Sequence, residues 1–456
     1  MKTWKKILIA DGILALVLVG VLGWGVMTVR KQASEDKKSD EGITTAETLE
    51  EDTKKIEQRG LQEAEEAAIA EEKAEAERIA ARKAEADRIA AERAEAKKQE
   101  EEAQAAAAQA AEEDAANNRV HICMVGDYLL GTLVDDFSLS PEGEYDFNPL
   151  FEHVAPYLGA YDLKIINEES ACGGREFGIS GYPSFNSPHE AQDAIANAGF
   201  NCVTLATNHM LDLGPEPVYS TLNYWRGNYP QIATVGAYDS QEASDQIYCF
   251  EKNGFRIAVL NYTEVSNGGS GGYYGVPYVL NMLYEDEVRA DIRRAKEVSD
   301  YVIVAPHWGT EYQLAPDDQQ RMWAQIFLEE GVDLVLGTHP HVPEPVEELV
   351  REDGHHMICY YSLGNYCSNQ ALTESLVGAM ADVTIRKTPE GVIVEDFGVV
   401  PIITHKQRPF TTFLMRDYNS DLSALSYNHT EDPEYSYERC VDLVVSMYGD
   451  RLRNYW

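Results

Sequence analysis

The side chains with chemistry to offer fall in five short clusters: Gly126-Asp127, Asn167-Glu168-Glu169-Ser170, Asn208-His209, His307-Trp308-Gly309 and His339-Pro340-His341. Carboxylate, amide oxygen and imidazole form a donor set suited to divalent transition metals such as Mn, Fe or Zn, as one ion or two. Ions held this way activate water and stabilise developing negative charge, which is hydrolytic chemistry. In an extended His339-Pro340-His341, the two-residue period of a strand sends both imidazoles to one side, as one centre or two adjacent ones require. In Asn208-His209 the adjacent side chains diverge, so that Asn208 binds metal while His209 faces a substrate. Gly126 allows close backbone approach at the end of a strand. Taken singly, each cluster has a plainer explanation. An Asp after Gly turns or caps, Asn208-His209 with Asp212 caps a helix, Glu168 and Glu169 sit in a solvated loop, and His-Pro-His makes a turn. Their shared placement is what argues for a site.

That placement is set by apolar runs. Val120–Val125, Leu163–Ile166, Val203–Ala206, Val302–Ala305 and Leu334–Leu336 are short, rich in Val, Ile and Leu, and each precedes a cluster. They read as strands, and the clusters then lie at strand carboxyl ends, where open α/β sheets build their sites. Helical patterns at Pro188–Ala198, Glu285–Val298 and Asp317–Glu330 alternate with them, which predicts a layered α/β domain from about Arg119 onward. Tyr437–Tyr448 reads as an amphipathic helix packed on that domain, within a C-terminal extension after residue 405.

The first part of the chain is of a different kind. Ile7–Val29 is apolar apart from Asp11 and, as a helix, would be roughly 34 Å long, enough to cross a bilayer. Lys2, Lys5 and Lys6 precede it and no small-residue cleavage site follows it, so an uncleaved anchor with a cytoplasmic N-terminus is expected. Residues 30–118 are rich in Ala, Glu, Lys and Arg, with a ten-residue repeat at Lys73–Arg82 and Lys83–Glu92. Glu75/Arg78, Glu85/Arg88 and Glu95/Lys98 pairs support a long solvated helix. Ten does not match a heptad, so a semi-rigid stalk is expected in preference to a regular coiled coil; self-association through it stays open.

The chain carries a formal charge of −39. By count, the first 29 residues contribute about +2 and residues 30–118 about −11, which leaves about −30 on the globular part. Such a field excludes a nonspecific nucleic-acid binder, and an anionic substrate would need a metal or a local basic pocket. The seven cysteines include no C-x-x-C pair. Cys123, Cys202 and Cys359 read as buried thiols, and Cys172 and Cys367, near the clusters, as candidates for a disulfide or a ligand. Arg175 is a candidate anion contact, and Asn267–Gly275 a loop near the site with the composition of a lid.

These residues carry a family resemblance. GD-x-x-L-G (Gly126 to Gly131), N-x-E-S (Asn167 to Ser170), A-T-N-H-x-x-D-x-G (Ala206 to Gly214), H-W-G-x-E-Y (His307 to Tyr312), G-T-H-P-H (Gly337 to His341) and Y-S-L-G-N-Y (Tyr361 to Tyr366) occur in that order. Over roughly His121 to Pro401 the chain resembles the CapA/PgsA capsule-synthesis family of poly-γ-glutamate biosynthesis proteins, related to the calcineurin-like metallophosphoesterases. The resemblance implies a four-layer α/β/β/α metallophosphatase-like sandwich with a two-metal site. Asp127 would bind the first metal and Glu169 bridge, while Asn208, His307 and His339 would hold the second and His341 return to the first. His209, supported by Asp212, would be the general acid or a hydrogen-bond donor. Two positions depart from the pattern: Leu129 stands where the phosphoesterases have the D-x-H histidine, and Glu168 where the family has an apolar residue.

Three functions are consistent with this reading. The first is a membrane-anchored, extracytoplasmic component of poly-γ-glutamate or related capsule synthesis and export, acting with anionic polymer and other membrane capsule-synthesis proteins. The second is a metal-dependent phosphoesterase or amide hydrolase acting on the cell envelope. The third is a noncatalytic scaffold that binds polymer or partners.

Overall fold

The computed structural model describes residues 46–115, 118–269 and 271–453. The expected membrane anchor lies outside the described residues, and no described helix is long and apolar enough to cross a membrane. The expected stalk is one helix, α1 (Ala46–Ala115), of 70 residues, or about 105 Å at 1.5 Å per residue. Arg78 pairs with Glu75 and Arg88 with Glu85 along it. Ile69, Ile79 and Ile89 remain exposed, because Ala at most other apolar positions leaves no continuous stripe to bury.

Strands β1 (Arg119–Tyr128), β2 (Leu163–Glu168), β3 (Cys202–Thr204) and β4 (Ala233–Val235) run parallel. Helix α2 (Glu190–Ala198) connects β2 to β3, and α3 (Pro215–Asn228) connects β3 to β4. The chain then crosses to a second sheet made of β5 (Cys249–Lys252), β6 (Phe255–Thr263), β7 (Tyr301–His307), β8 (Leu334–Leu336), β9 (Val346–Val350) and β10 (His356–Tyr360), with α4 (Glu285–Val298) and α5 (Asp318–Glu330) between its parallel members. It returns through β11 (Asn365–Cys367), β12 (Val377–Thr388), β13 (Gly391–His405) and β14 (Thr411–Leu414) to complete the first sheet, in the order β14-β13-β12-β1-β2-β3-β4 with β11 paired to β1.

Alternation along the strands builds three cores. Ile122 and Met124 of β1 and Leu163 and Ile165 of β2 face Ile257, Val259, Ile303 and Leu334 of the second sheet. Their neighbours Cys123, Val125 and Ile166 face Ala191, Ile195, Val218 and Trp225 of α2 and α3. On the far side, Val302, Val304 and Val335 meet Val288 and Ile292 of α4 and Trp323 and Phe327 of α5. Helix, sheet, sheet and helix therefore stack as four layers, and the strands, covered on both faces, read as near-continuous apolar runs.

The segment after residue 405 is integral to this arrangement. It supplies β14, and Cys440, Val444 and Tyr448 of α6 (Tyr437–Tyr448) join the core between the sheets. Asp317 caps α5 reciprocally with Gln320, so this helix starts one residue later than its apolar pattern suggests.

Three strands extend beyond their apolar runs, and this places the polar clusters. β1 reaches Tyr128, β2 reaches Glu168 and β7 reaches His307. Continuing the alternation, the inward row of β2 runs Leu163, Ile165, Asn167 and that of β7 runs Ile303, Ala305, His307, so both rows end in polar side chains between the sheets. In β1 a register shift between Val125 and Asp127 turns Asp127 toward the same space. Gly126 sits at that shift, and a Cβ there would lie 1.8 Å from the Gly364 carbonyl oxygen. Gly126→Ala should therefore destabilise the fold by on the order of 3 kcal/mol, as read from the midpoint of chemical denaturation; a loss below about 1 kcal/mol would show that the contact yields easily.

Candidate metal centre

Asp127, Glu169, Asn208, His307, His339 and His341 come together, all nearly sealed from water. His307 Nε2 stands 2.9 Å from Asn208 Oδ1, 3.2 Å from His339 Nδ1 and 3.7 Å from Glu169 Oε1. His341 Nδ1 is 3.4 Å from Asp127 Oδ2, and its Nε2 is 3.5 Å from Glu169 Oε1. The donors form two groups, Glu169 with His307 and His339, and Asp127 with Glu169 and His341, and Glu169 belongs to both.

Neighbouring residues orient these groups. The Thr204 hydroxyl donates to Asn167 Oδ1 and Asn167 Nδ2 donates to Asp127 Oδ1, each at 2.8 Å. The His339 backbone N–H donates to Asp127 Oδ2 at 3.1 Å. Thr338 Oγ1 lies 3.0 Å from His307 Nδ1; with the proton on Nδ1, the Nε2 lone pair faces Asn208, His339 and Glu169. Neither oxygen of the Glu169 carboxylate has a hydrogen-bond partner among the described residues. A fully buried carboxylate with four free lone pairs, set between two imidazole groups, fits a bridging position between cations.

The protonation states match. Burial pulls the His307 imidazolium well below its usual range, helped by His339 and His341. Burial likewise lowers His339 to about 3, so both rings are neutral ligands. At His341 burial acts downward but is outweighed by Glu169 and Asp127, which raise it to about 10. Burial pushes Glu169 well above the carboxylate range, against the pull of His341. Without a cation, a proton thus occupies the Asp127–Glu169–His341 side of the centre.

His-Pro-His is not extended. His339 has φ +99° and His341 φ +60°, both in the left-handed region. Both imidazoles still reach the centre, but through a strained turn that aims one ring at each donor group, with ring centroids 6.1 Å apart. Non-glycine residues held there store about 1–3 kcal/mol each, which the surrounding bonds must offset.

Strand alternation distinguishes the two adjacent carboxylates. Glu168 points away from the centre into the helix-side core, where Trp225 Nε1 donates to its Oε2 at 2.9 Å. Burial lifts it to about 7 even so. His209 and Asn208 diverge as expected: His209 Nδ1 is 2.7 Å from Asp212 Oδ2, which also accepts the Phe185 N–H at 2.9 Å. That leaves His209 Nε2 for a cleft of about 490 Å³, whose walls include Leu129, Phe185, Glu311, Tyr312, His341 and Gln370.

Other expectations change. Arg175 is not an anion contact: its guanidinium is bound to Glu190 at 2.6 Å and to the Gly143 carbonyl, and it stacks over Tyr145. All seven cysteines are free thiols, and neither Cys172 nor Cys367 belongs to a donor group. The loop beginning at Asn267 is pinned to the site at its base, where Asn267 N–H donates to the Asn208 carbonyl at 2.8 Å. Asn167, Thr338 and Asn365 stand inside the motifs of the sequence but, like Thr204, touch ligands without being ligands, and residue type alone gives them no role. The one available signal for Asn167 was its place two residues before Glu169, on the same face of a strand.

Cation uptake must expel the proton held beside His341. Metal titration of the metal-free chain in weakly buffered solution should release about one proton per chain between pH 7 and 9. Affinity on that side should rise with pH toward about 10. Uptake without proton release would contradict this charge assignment.

Comparison with known proteins adds a family. The model described as bacterial capsule synthesis protein PGA_cap matches residues 121–370. The "PGA biosynthesis protein CapA" of Bacillus subtilis (strain 168) is 28% identical over 287 residues, covering 62% of this chain and 72% of that protein. The "Capsule biosynthesis protein CapA" of Bacillus anthracis is 27% identical over 304 residues, covering 64% and 69% respectively. Among solved structures, the calcineurin-like phosphoesterase YfkN from Bacillus subtilis aligns with a TM-score of 0.39 at 12% identity, covering 73% of this chain and 97% of that one. At that similarity the layered topology, not the neighbour, carries the fold assignment. Matched over more than half its length, in a stretch that includes all six converging side chains, the chain belongs to the bacterial capsule synthesis protein PGA_cap family.

Proposed function

We propose that this protein is a membrane-anchored, extracytoplasmic component of poly-γ-glutamate or related capsule-polymer synthesis and export, and that its centre hydrolyses a phosphoester or amide bond. The family and the names of the Bacillus relatives support the capsule role. The apolar run Ile7–Val29, followed by the long helix, supports an anchor and spacer. The observation that carries the hydrolytic reading is Glu169, buried with neither oxygen hydrogen-bonded and set between two imidazole-bearing groups.

Bound there, divalent ions would supply an activated water and positive charge for a developing oxyanion. Asp127, Glu169 and His341 would hold one ion, and Glu169, Asn208, His307 and His339 the other. Asp212 Oδ2 accepts from His209 Nδ1–H, which fixes the ring's orientation and turns Nε2 toward the cleft as the atom that would exchange a proton with a substrate. Phe185, edge-on to His209 with centroids 4.5 Å apart, limits its movement and shields it from water. Among the described residues that line the cleft there is no Lys or Arg, so an anionic group entering it would be attracted chiefly by the cations.

Leu129 favours a second reading. With an apolar side chain where the phosphoesterases have a ligand, the Asp127 side is short of a donor, as a noncatalytic scaffold that binds polymer or partner proteins would tolerate.

Complementation of a deletion strain that makes the polymer separates these readings. Wild type should restore surface anionic polymer, His339→Ala should not, and His209→Ala should lower hydrolytic turnover by about 100-fold or more. Full restoration by both variants would move the assignment to the scaffold. Unchanged polymer in the deletion strain itself would remove the capsule role.

A further inference from the structure

We infer that Asn365 is the positioning residue of the Asp127 side of the centre. It fixes which nitrogen of His341 is offered to a cation, and through Gln370 and Tyr312 it ties that geometry to the occupant of the cleft. The inference rests on the two-cation reading above.

Asn365 is fully buried at the start of β11, where it pairs with Asp127 of β1. Its amide cannot be reversed. Four acceptors surround Nδ2: the Ser375 carbonyl at 2.8 Å, Ser368 Oγ and Gln370 Oε1 at 2.9 Å, and the His341 carbonyl at 3.2 Å. An amide nitrogen only donates and an amide oxygen only accepts, so Nδ2 must face this group and Oδ1 must face the other way. Oδ1 lies 3.0 Å from His341 Nδ1. His341 must therefore carry a proton on Nδ1, which leaves Nε2, 3.5 Å from Glu169 Oε1, as its ligating atom.

This side of the centre depends on that choice more than the other does. With Leu129 in place of a histidine, His341 is its only imidazole, and a ring turned the other way would remove a third of its protein donors. The turn at His341 is also in the left-handed region, and the bond from Asn365 Nδ2 to the His341 carbonyl helps to hold it there.

The network continues outward. Gln370 receives Asn365 Nδ2 at Oε1 and donates from Nε2 to the Tyr312 hydroxyl at 3.1 Å. Both Gln370 and Tyr312 line the cleft, and Tyr312 is 44% exposed. A molecule that hydrogen-bonds to Tyr312 or Gln370 thus acts on the same chain of bonds that orients His341. The occupant and the second ion are coupled through this chain of bonds as well as at the centre.

The test is a Mn²⁺ titration of the full-length chain in detergent, counting ions and measuring both affinities, with Asn365→Leu, Asn365→Asp and Gln370→Leu beside wild type. Leu has the shape of Asn without its acceptor or its donor, whereas Asp keeps an acceptor toward Nδ1 and loses only the donor. Asn365→Leu should keep one ion at wild-type affinity and bind the second about 10–100-fold more weakly. Asn365→Asp, which keeps the acceptor but loses the Nδ2 bonds, should weaken the second ion less than Asn365→Leu does, and Gln370→Leu should weaken only the second ion, by about three- to tenfold. Equal affinities in wild type and a folded Asn365→Leu would overturn the inference. So would an equal loss in the Asp and Leu variants, which would place the role in the Nδ2 bonds or in packing and not in the acceptor at His341 Nδ1. If Asn365→Leu does not fold, Gln370→Leu decides, since unchanged second-ion binding there also overturns it. A wild-type chain that takes up only one ion would remove the two-cation reading and this inference together; that result appears before any variant is compared.

Discussion

A carboxylate sealed from water with neither oxygen hydrogen-bonded is the constraint around which the centre is built. An uncompensated charge at Glu169 would cost several kcal/mol, because burial takes away the hydration that stabilises it. Two partners can offset that: the His341 imidazolium 3.5 Å away, or cations held with it. The remaining groups fit either state. His307 and His339 are kept neutral by burial and by neighbouring imidazoles, His341 and His209 among them, so they add no competing positive charge and offer lone pairs. Asp127 has both oxygens engaged by fixed donors, so its position does not depend on which partner Glu169 has.

Getting six such groups to one point is a problem of strand parity. The inward faces of the two sheets are apolar along most of their length, and the layers hold together because of it. At the carboxyl ends the same rows change character, to Asn167 on β2 and His307 on β7, without any change in direction. Only β1 needs a correction, and the shift at Gly126 supplies it with the Gly364 backbone filling the space of a side chain. The clusters on β1, β2 and β7 thus inherit the rigidity of the sheets, whereas His339 and His341 depend on a strained turn and on the bonds that hold it.

Much of this was legible in the residues. Apolar runs located the strands within a few positions, and the polar clusters after them located the centre. The choice between Glu168 and Glu169 was also within reach: with Leu163 and Ile165 facing inward, period two puts Glu169 on their side and Glu168 against Trp225. Proline defeated the same rule at His339-Pro340-His341, where the flanking histidines take left-handed conformations that no pattern of types announces. Asn365 was out of reach for another reason. Its importance lies in one acceptor bond to a ring 24 residues away in sequence, and an asparagine in a strand carries no mark of its partner. Arg175 misled for the opposite reason, since a lone cation in an acidic chain looks available until Glu190 is found bound to it.

Charge sets the terms on which such a centre meets an anionic polymer. The globular part carries about −30 by sequence, and Asp136 and Glu311 line the cleft with no Lys or Arg among the lining residues. Lys406, whose ammonium is bound to the carbonyls of the lining residues Asn369 and Gln370, is fully buried and paired with Glu431. Its charge therefore holds the wall in place and is not displayed in the cleft. At physiological salt the acidic background is felt over about 8 Å. Under the proposed role, a polyanion lying along the wall is repelled at each residue, and attraction exists only where cations sit between Asp127, Glu169 and the histidines. One anionic group can bind while its neighbours in the polymer are pushed outward. That geometry suits attack at a chain end or at a single linkage, and the same field favours release of an anionic product once the bond is broken.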